Sequence, residues 1–310
     1  MKQALEVAGV PIAPVQLIAA GTTLREAIAL VTRTLTAVGI AGAAGDARIM
    51  TAVAAGRRTV DLIAHPEAVL NAAAALRLNE MAHRRVRHEP VSRILGEREF
   101  YGRRFEITPA TLDPRPDSET LIGAALELLD EAGMRDGAPL RLIDIGTGSG
   151  CLIVTLLAEL PAATGLATDI CPAALAVALR NAERHGVCDR LRLRQCDMLE
   201  GMSGRYDLLV SNPPYIPTEE IARLEAAVAA FDPRRALDGG PDGLAAYRRI
   251  AGRLSDVLAL PPNPAWALFE VGAGQAGDVA DILADGGFPG ARTWVDLGGH
   301  TRCVAVKTLR

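Results

Sequence analysis

The sequence lacks a long hydrophobic run and a strong net charge. An uncharged stretch from Leu35 to Gly45 is interrupted by glycines, and it falls short of the ~20 apolar residues that a membrane-spanning helix needs. The net charge is −4, whereas a surface built to coat nucleic acid would be strongly basic. We therefore expect neither a membrane protein nor a nucleic-acid coat.

The sequence also lacks paired cysteines and metal-ligand spacings. No C-x-x-C pair occurs, and scattered thiols in odd number are typical of a reducing compartment. Near the amino end, Glu6, Pro11 and Pro14 interrupt what could be the apolar part of a secretory signal. We expect a cytoplasmic protein that holds no metal. The residues concerned are Cys151, Cys171, Cys188, Cys196 and Cys303, with His65, His83, His88, His185 and His300.

What the sequence does contain is enough apolar material for a large core. Of its 310 residues, 49% are hydrophobic. A chain of this length can bury about three quarters of its unfolded surface without a disulfide or a metal. The length fits one large domain or two unequal ones.

The first part of the chain has a helical pattern. Thr23 with Glu26 forms a capping box ahead of apolar residues that recur at steps of four and three. Further helices are expected at about 45–57 and 66–83, the second with a proline in its first turn. These patterns predict a small all-helical domain over residues 1–95. The recurring apolar residues are Leu24, Ile28, Val31, Leu35 and Val38.

Residues 97–111 change character, because aromatic and β-branched residues alternate there and indicate a β-hairpin. The six residues from Leu112 to Asp117 are too rich in proline for regular structure and form a connector. We therefore predict a hairpin and Pro-rich linker over 96–117, followed by a second domain over 118–310.

Strands and helices alternate through this second domain, which begins with a capped helix over 118–133. The alternation predicts an α/β fold with a parallel sheet covered on both faces. The last two strands are joined by a short loop and should pair antiparallel. The predicted strands are 140–145, 164–168, 191–196, 206–211, 265–271, 292–297 and 302–308.

A glycine-rich turn, Asp144-Ile145-Gly146-Thr147-Gly148-Ser149-Gly150, stands where the first strand of this domain leads into a helix. Such glycines let a ligand approach the backbone and the free N–H groups of the helix. Cys151 breaks the spacing of a dinucleotide fingerprint. Asp169 closes the next strand, in position to bind ribose hydroxyls, and Asp197 follows the third, in reach of an adenine amino group. Alternatively, the glycines form only a tight turn and the aspartates cap helices, but their place at successive strand ends favours a nucleoside site.

The tetrapeptide Asn212-Pro213-Pro214-Tyr215 follows the fourth strand at the same edge of the sheet. It fits methyl transfer to a planar nitrogen, whose lone pair is delocalised. The Asn212 side-chain oxygen and the Pro213 carbonyl can each accept one N–H from that nitrogen, and Tyr215 offers a flat face for stacking. Orientation is then the main catalytic effect, and no strong base is needed. A plain proline-rich turn is the alternative.

These motifs together resemble S-adenosylmethionine-dependent methyltransferases of the seven-stranded class that modify planar nitrogens. A narrower resemblance to the HemK/PrmC family runs from about residue 20 to the end of the chain. Asp113 departs from the family pattern, which has an apolar residue there. The segments that carry the resemblance are Arg93-Ile94-Leu95-Gly96, Glu99-Phe100-Tyr101-Gly102, Pro114-Arg115-Pro116-Asp117-Ser118-Glu119, Phe231 to Gly240 and Phe269-Glu270-Val271-Gly272.

The resemblance implies a seven-stranded, Rossmann-like class I methyltransferase domain behind a small all-helical amino-terminal domain that docks the substrate. It implies S-adenosylmethionine as methyl donor, S-adenosylhomocysteine as product, and as target the side-chain amide N5 of the glutamine in the Gly-Gly-Gln motif of class 1 peptide chain release factors. The expected cofactor contacts are Asp144, Gly146, Thr147, Gly148, Ser149, Gly150, Asp169, Asp197, Met198 and Asn212. The expected substrate contacts are Asn212, Pro213, Pro214 and Tyr215.

Three alternatives remain open at this point. The same tetrapeptide would serve N6-methylation of adenine in nucleic acid, although the net charge argues against it. The target could be a glutamine of a ribosomal protein, or the chain could be a cofactor-binding module without activity.

Arginines around residue 95 form either a solvated face or a docking patch for a release factor or nucleic acid. We expect a release factor as partner, no membrane or nucleic acid, and a monomer. The basic residues are Arg84, Arg85, Arg87, His88, Arg98, Arg103 and Arg104.

Overall fold

The computed structural model describes residues 6–7, 10–11, 17–260 and 264–308. The chain divides into two compact units, one up to Leu95 and one from Gly96 onward. The first unit holds a short antiparallel strand pair and a group of helices. Its elements are β1 (Glu6–Val7), β2 (Val10–Pro11), α1 (Leu24–Ala37), α2 (Ala43–Ala55), α3 (Thr59–Ala64), α4 (Ala72–Val86) and α5 (Val91–Leu95).

Helix α1 begins as the sequence predicts. The Thr23 hydroxyl accepts from the Glu26 N–H at 3.2 Å, and the Glu26 carboxylate accepts from the Thr23 N–H at 3.0 Å. This capping box satisfies two N–H groups that have no partner within the helix. The apolar face of α1 then packs on α2 and α4, with Leu24, Leu35 and Leu78 fully buried in one core.

The predicted helix over 66–83 was wrong at its start. Helix α4 begins only at Ala72, after Asn71, whose side-chain oxygen accepts from the Ala74 N–H at 2.8 Å. The residues before it run beside the start of α1 instead. The carbonyl groups of Pro66 and Ala68 accept from N–H groups in the first turn of α1. Long-range capping of α1 therefore prevailed over the local preference of a proline for a first helical turn.

The second unit opens with the predicted hairpin, formed by β3 (Glu97–Phe100) and β4 (Arg103–Glu106). Tyr101 and Gly102 make its turn, both with positive φ (50° and 69°), which is the backbone of the tight turns that join twisted strands. The Tyr101 N–H donates to the Glu119 carboxylate at 2.8 Å. The hairpin is confirmed, and it is held by a residue at the start of the next helix.

The remaining elements form a sheet with helices between the strands. The helices are α6 (Glu119–Glu131), α7 (Cys151–Glu159), α8 (Pro172–Arg184), α9 (Ala226–Phe231), α10 (Arg234–Leu237), α11 (Ala245–Ala251), α12 (Leu254–Val257) and α13 (Ala276–Asp285). Short 3₁₀ turns span Pro116–Ser118, Cys188–Arg190 and Thr218–Arg223. The strands are β5 (Arg141–Ile145), β6 (Thr164–Asp169), β7 (Leu191–Gln195), β8 (Leu208–Ser211), β9 (Trp266–Glu270), β10 (Arg292–Val295) and β11 (Thr301–Lys307).

The large sheet has seven strands in the order β10-β11-β9-β8-β5-β6-β7. Strands β9, β8, β5, β6 and β7 run parallel, whereas β11 is antiparallel to both β9 and β10. The antiparallel pairing of the last two strands is the one predicted from their short connecting loop. The α/β fold with a mostly parallel sheet is thus confirmed.

Successive residues of the central strand belong to opposite cores. Leu142 packs in one core with Leu129 of α6 and Leu156 of α7, whereas Ile143 packs in the other with Tyr247 of α11 and Leu283 of α13. Because side chains alternate across a strand, a sheet that buries both sets must be covered on both faces. This explains why the strand sequence Leu-Ile-Asp-Ile carries no exposed side chain.

The chain order of the strands creates a switch point at β5. The chain moves from β5 through β6 to β7 on one side, then returns to place β8 on the other side of β5. In open α/β sheets the connections leave such a point in opposite directions, so a crevice opens at the carboxyl ends of the two strands. Ile145 and Ser211 end these strands and lie opposite each other in the register.

Candidate active site

A cavity of about 590 Å³ lies at the carboxyl ends of the parallel strands, within the second unit. Its size is within the range of pockets that bind a nucleoside-sized ligand. The wall comes from the turns after β5, β6, β7 and β8, from residues between 110 and 118, and from the segment 233–238. The sequence motifs that follow successive strands are therefore brought together at one edge of the sheet.

The glycine turn after β5 forms one side of the cavity. Gly146 (φ 71°) and Gly148 (φ 55°) have left-handed backbones, and both line the cavity. A Cβ at either position would meet no atom within 4 Å. The space that side chains would occupy there is thus open to a ligand, and glycine also avoids the strain of a left-handed backbone.

Gly150 has a different function in the same turn. It precedes α7 with φ 80°, and a Cβ there would lie 3.1 Å from the Cβ of Ala178. This glycine permits the close packing of the turn on α8. The sequence grouped it with the ligand-facing glycines, but the structure places it at a helix contact, and it is not among the described residues of the cavity wall, although Ser149 and Cys151 on either side of it are.

Asp144 lies behind the turn. Its carboxylate is fully buried and accepts from the Thr147 hydroxyl at 2.6 Å. Burial raises the pKa of Asp144 to about 7, the Thr147 hydrogen bond lowers it, and the charge of Asp169 raises it. Asp144 holds Thr147 in place and is not among the described residues that line the cavity, unlike Thr147 and Ser149.

Asp169 lies at the end of β6 and is fixed by two backbone groups. One carboxylate oxygen accepts from the Gly148 N–H at 2.9 Å and the other from the Cys171 N–H at 2.8 Å. A carboxylate oxygen can accept more than one hydrogen bond, so the half-buried group can still bind hydroxyls from the cavity. Asp169 also ties the glycine turn to the next strand, which the sequence did not reveal.

Asp197 and Met198 line the cavity after β7. Asp197 forms two hydrogen bonds with the Arg249 guanidinium, at 2.7 and 3.2 Å, which raise the pKa of Arg249. Met198 has a left-handed backbone (φ 54°), which is uncommon outside glycine and occurs where tertiary structure imposes it. Sequence reasoning found both residues but neither the ion pair nor the strained backbone.

Asn212 follows β8 directly, and its side-chain Nδ2 donates to the Ser118 hydroxyl at 3.4 Å. Asn212, Pro213 and Pro214 line the same cavity as the glycine turn, which follows the neighbouring strand. The sequence predicts a capped helix over 118–133, but α6 begins at Glu119 and Ser118 before it forms no side-chain cap bond. Its hydroxyl is buried and contacts Asn212 instead.

Tyr215 follows these lining residues but is not itself among the described residues of the cavity wall, and its half-buried ring packs against the core on the α11 and α13 side. Burial, followed by the charge of Glu270, raises the pKa of Tyr215 to about 12. The phenol is therefore neutral at physiological pH. Its carbonyl accepts from the Gln275 side chain at 2.9 Å, and the same side chain accepts from the Gly272 N–H at 3.1 Å.

The loop Asn212-Pro213-Pro214-Tyr215 is also supported from behind by the segment 237–243. The Ile216 N–H donates to the Leu237 carbonyl at 3.0 Å, and the Gly239 N–H donates to the Ile216 carbonyl at 2.9 Å. A Cβ on Gly239 would lie 2.7 Å from the Pro214 carbonyl oxygen. Close backbone packing therefore explains glycine at this position in the sequence Leu-Asp-Gly-Gly.

The proline-rich connector is joined to the segment Phe231-Asp232-Pro233-Arg234 by an ion pair. Arg115 contacts the buried Asp232 carboxylate at 2.6 Å. The Asp113 N–H donates to the same carboxylate at 3.3 Å, and the Asp113 carboxylate lies 3.9 Å from the Arg98 guanidinium. The acidic residue that departs from the family pattern is thus accommodated by a nearby cation.

The arginines around residue 95 are mostly engaged in ion pairs, which argues against a free basic patch. The pairs are Arg84–Glu89, Arg85–Asp46, Arg98–Asp113, Arg103–Glu159 and Arg104–Glu97.

Within the described ranges, no three His, Cys, Asp or Glu side chains are close enough together to hold a metal ion. No helix in the described part of the chain has both the length and the apolar character to cross a membrane.

The donor set of the cavity fits a methyl-sulfonium nucleoside: open glycines at a helix amino terminus, a fixed carboxylate after β6, and a thioether after β7. Together with the sheet order, these features define an S-adenosylmethionine-dependent methyltransferase.

Comparisons with known proteins identify the family. Residues 26–96 match the PrmC N-terminal domain, and residues 123–231 match the methyltransferase small domain. The release factor glutamine methyltransferase of Rhodospirillum rubrum is 43% identical over 263 residues, which is 84% of this chain and 78% of that protein. The one from Cereibacter sphaeroides is 43% identical over 274 residues, covering 88% and 94%. This chain belongs to the release factor glutamine methyltransferase family.

Among solved structures, the hMettl16 catalytic domain in complex with MAT2A 3'UTR hairpin 1 is similar, with a TM-score of 0.51 and 18% identity over 66% of this chain and 76% of that one. This likeness shows the fold alone.

Proposed function

We propose that this enzyme transfers a methyl group from S-adenosylmethionine to the side-chain amide N5 of the glutamine in the Gly-Gly-Gln motif of class 1 peptide chain release factors. The observation that carries the proposal is the position of Asn212 and Pro213 at the wall of the cavity that the open glycine turn also lines. The names of the relatives, which are release factor glutamine methyltransferases, support the choice of substrate.

The cofactor is held by residues that follow β5, β6 and β7. Gly146, Gly148 and Ser149 face it from the amino terminus of α7, and Asp169 accepts hydrogen bonds from its ribose hydroxyls. Met198 packs against the adenine ring through its polarisable thioether. Asp197 accepts from the adenine amino group with an oxygen that also bonds Arg249, since each carboxylate oxygen has two lone pairs. When bound, S-adenosylmethionine supplies an electrophilic methyl group.

Asn212 and Pro213 hold the substrate amide. The Asn212 Oδ1 and the Pro213 carbonyl each accept one N–H of the glutamine amide, which fixes the nitrogen and draws electron density toward it. Neither Pro213 nor Pro214 has an N–H that would compete for these acceptors. Two fixed acceptors on one loop can supply a large part of the rate enhancement through orientation.

The exposed part of the half-buried Tyr215 ring provides a flat surface beside the amide. Its raised pKa keeps it neutral, so it cannot act as a base at physiological pH. No base is required, because the nitrogen becomes acidic once it has gained the methyl group and then releases its proton to water.

The helical unit up to Leu95 docks the release factor. Val60 and Ile63 of α3 are 56% and 79% exposed, and exposed apolar side chains of this kind suit a protein partner. Val60→Ser with Ile63→Ser should raise KM for an intact release factor and leave KM for a short Gly-Gly-Gln peptide unchanged. An equal change for both substrates would refute docking by α3.

The function is tested with methyl-labelled S-adenosylmethionine and a recombinant class 1 release factor, beside its Gly-Gly-Gln to Gly-Gly-Ala variant. Label on the parent alone is the expected result. Equal label on both would refute the target residue. Label on neither, with cofactor binding verified by calorimetry, would refute the substrate, and duplex DNA and ribosomal protein would be tried next.

A further inference from the structure

The geometry points to Glu270 and Ser118 as positioning residues that fix the side-chain amide of Asn212 with its oxygen toward the substrate. This inference rests on the proposed function, because it concerns how Asn212 is prepared to accept the N–H of the target amide. Neither residue lies in the glycine turn or in the loop that would touch the reacting atoms.

The sheet register brings the two side chains together. Strands β8 and β9 are parallel neighbours, with Ser211 opposite Phe269. Asn212 directly follows β8 and Glu270 is the last residue of β9, so they reach the same edge of the sheet side by side. Glu270 is only 2% exposed, and it is as buried as the apolar residues that precede it on β9.

One hydrogen bond and the side-by-side position of Asn212 and Glu270 connect Asn212 with this buried carboxylate. The Asn212 Nδ2 donates to the Ser118 Oγ at 3.4 Å, which leaves the single hydroxyl hydrogen of Ser118 free to donate elsewhere. Hydrogen bonding to Ser118 and Asn212 lowers the pKa of Glu270 and so opposes the effect of its burial. Ser118 is itself 3% exposed, so water does not compete for this hydrogen.

An ionised carboxylate has no hydrogen to donate, and this property sets the direction of these hydrogen bonds. Ser118 must donate to Glu270 and accept from Asn212, so the NH₂ group of Asn212 faces inward and Oδ1 faces the cavity. A flipped amide would bring Oδ1 against the carboxylate and leave Ser118 with two acceptors for one hydrogen. The carboxylate therefore selects the orientation that the substrate needs.

Burial of the Glu270 carboxylate is energetically unfavourable. A glutamate at this buried position therefore has a reason other than stability. The Glu270 Oε2 atom is buried and makes no hydrogen bond with any residue in the described part of the chain. Unsatisfied buried groups of this kind are uncommon and call for an explanation. An apolar residue on β9 would pack there without this penalty.

Several titratable groups face Glu270 from the elements around it. Arg302 of β11 favours its charged form and Asp117 opposes it, while Arg302 itself is paired with Asp296 at 2.8 Å and Asp117 at 3.3 Å. The uncharged groups are Cys303 of β11, Cys151 of α7, Tyr215, and Tyr247 of α11, whose hydroxyl donates to the Glu270 carbonyl at 2.7 Å. Burial is the largest effect and raises the pKa of Glu270 to about 7.

The test compares kcat, KM and pH profiles of purified full-length variants. Wild-type kcat should rise with pH through about 7 as Glu270 ionises. Glu270→Gln should lose this rise, and Glu270→Ala should lower kcat by about tenfold or more while KM for S-adenosylmethionine stays within about threefold. Glu131→Gln, an exposed Glu that pairs with Arg292, is the matched control and should keep the wild-type profile.

Ser118 provides an independent arm that introduces no change of charge. Ser118→Ala should lower kcat by about tenfold, and Ser118→Thr should restore most of it because the hydroxyl returns. The double variant with Glu270→Ala should be no slower than Glu270→Ala alone, since both remove the same arrangement of hydrogen bonds.

The inference would be overturned if Glu270→Gln and Ser118→Ala kept the kcat and the pH profile of the wild type on a substrate that the wild type methylates. The proposed function would still stand in that case. Additive losses in the double variant would overturn it as well. A wild-type enzyme that methylates no Gly-Gly-Gln substrate would refute the proposed function itself.

Discussion

Gly243→Ala is the substitution for which the structure gives the sharpest expectation. Gly243 has φ +75°, and a Cβ there would overlap the Tyr215 carbonyl oxygen and lie 2.7 Å from the Gln275 Nε2. The methyl group would therefore break the hydrogen bond that Gln275 donates to Tyr215 and displace the loop Asn212-Pro213-Pro214-Tyr215.

The magnitude follows from two contributions. A left-handed backbone costs a non-glycine residue about 1–2 kcal/mol. Relief of the overlap requires a loop shift on the order of 1 Å, and a misplacement of that size can lower turnover roughly 100-fold. Gly274→Ala is the matched control, because Gly274 has φ +85° and a Cβ there would meet nothing within 4 Å.

Both variants should lose stability, by roughly 2–8 °C in Tm for a unit of this size. Only Gly243→Ala should also lose most of kcat, while the Kd for S-adenosylmethionine changes little in either. Thermal melts, calorimetry and initial rates measure the three quantities. A Gly243→Ala enzyme with the kcat of Gly274→Ala would refute the view that this glycine protects the position of the loop.

Three further predictions concern the cavity wall and the groups behind it. Asn212→Ala should lose most turnover and bind S-adenosylmethionine within about tenfold of wild type in calorimetry, because its main task is to orient the substrate amide. Asp169→Asn should raise the cofactor Kd by at least about tenfold, since it places an NH₂ group against a backbone N–H and weakens a charged acceptor. Asp144→Asn should flatten part of the decline in Tm as the pH rises from about 4 to about 7, because burial raises the pKa of Asp144 from 3.8 to about 7 and the folded state resists its ionisation.

Each of these has an outcome that contradicts it. Equal loss of cofactor binding and turnover in Asn212→Ala would remove its assigned role. Unchanged cofactor affinity in Asp169→Asn would show that the carboxylate only ties the turn. Parallel curves of Tm against pH for wild type and Asp144→Asn would mean that Asp144 does not titrate in this range.

The sequence could predict the sheet because its patterns are local. Strands such as Leu-Ile-Asp-Ile are short and mostly apolar and stand between helical segments, and the glycine turn and the loop at Asn212 each follow one of them. Topology then brings strand ends to one edge, so residues far apart in sequence were expected at one cavity, where the structure places Gly148, Asp169 and Asn212.

The sequence could not predict contacts that depend on distant partners. Ser118 has the local pattern of a helix cap, but the neighbouring Asn212 engages its hydroxyl instead. Pro66 has the local pattern of a helix start, but its carbonyl caps α1. Glu270 appeared in a family motif, yet only the register of β8 and β9 shows which side chain it adjoins.

The most direct measurement of the central claim is tandem mass spectrometry of a class 1 release factor after incubation with this enzyme and S-adenosylmethionine. We expect one added methyl group on the side-chain amide of the glutamine in the Gly-Gly-Gln motif, and none after incubation with the Asn212→Ala enzyme. A methyl group on another residue would refute the proposed target, and an equal yield with Asn212→Ala would refute the role of this side chain.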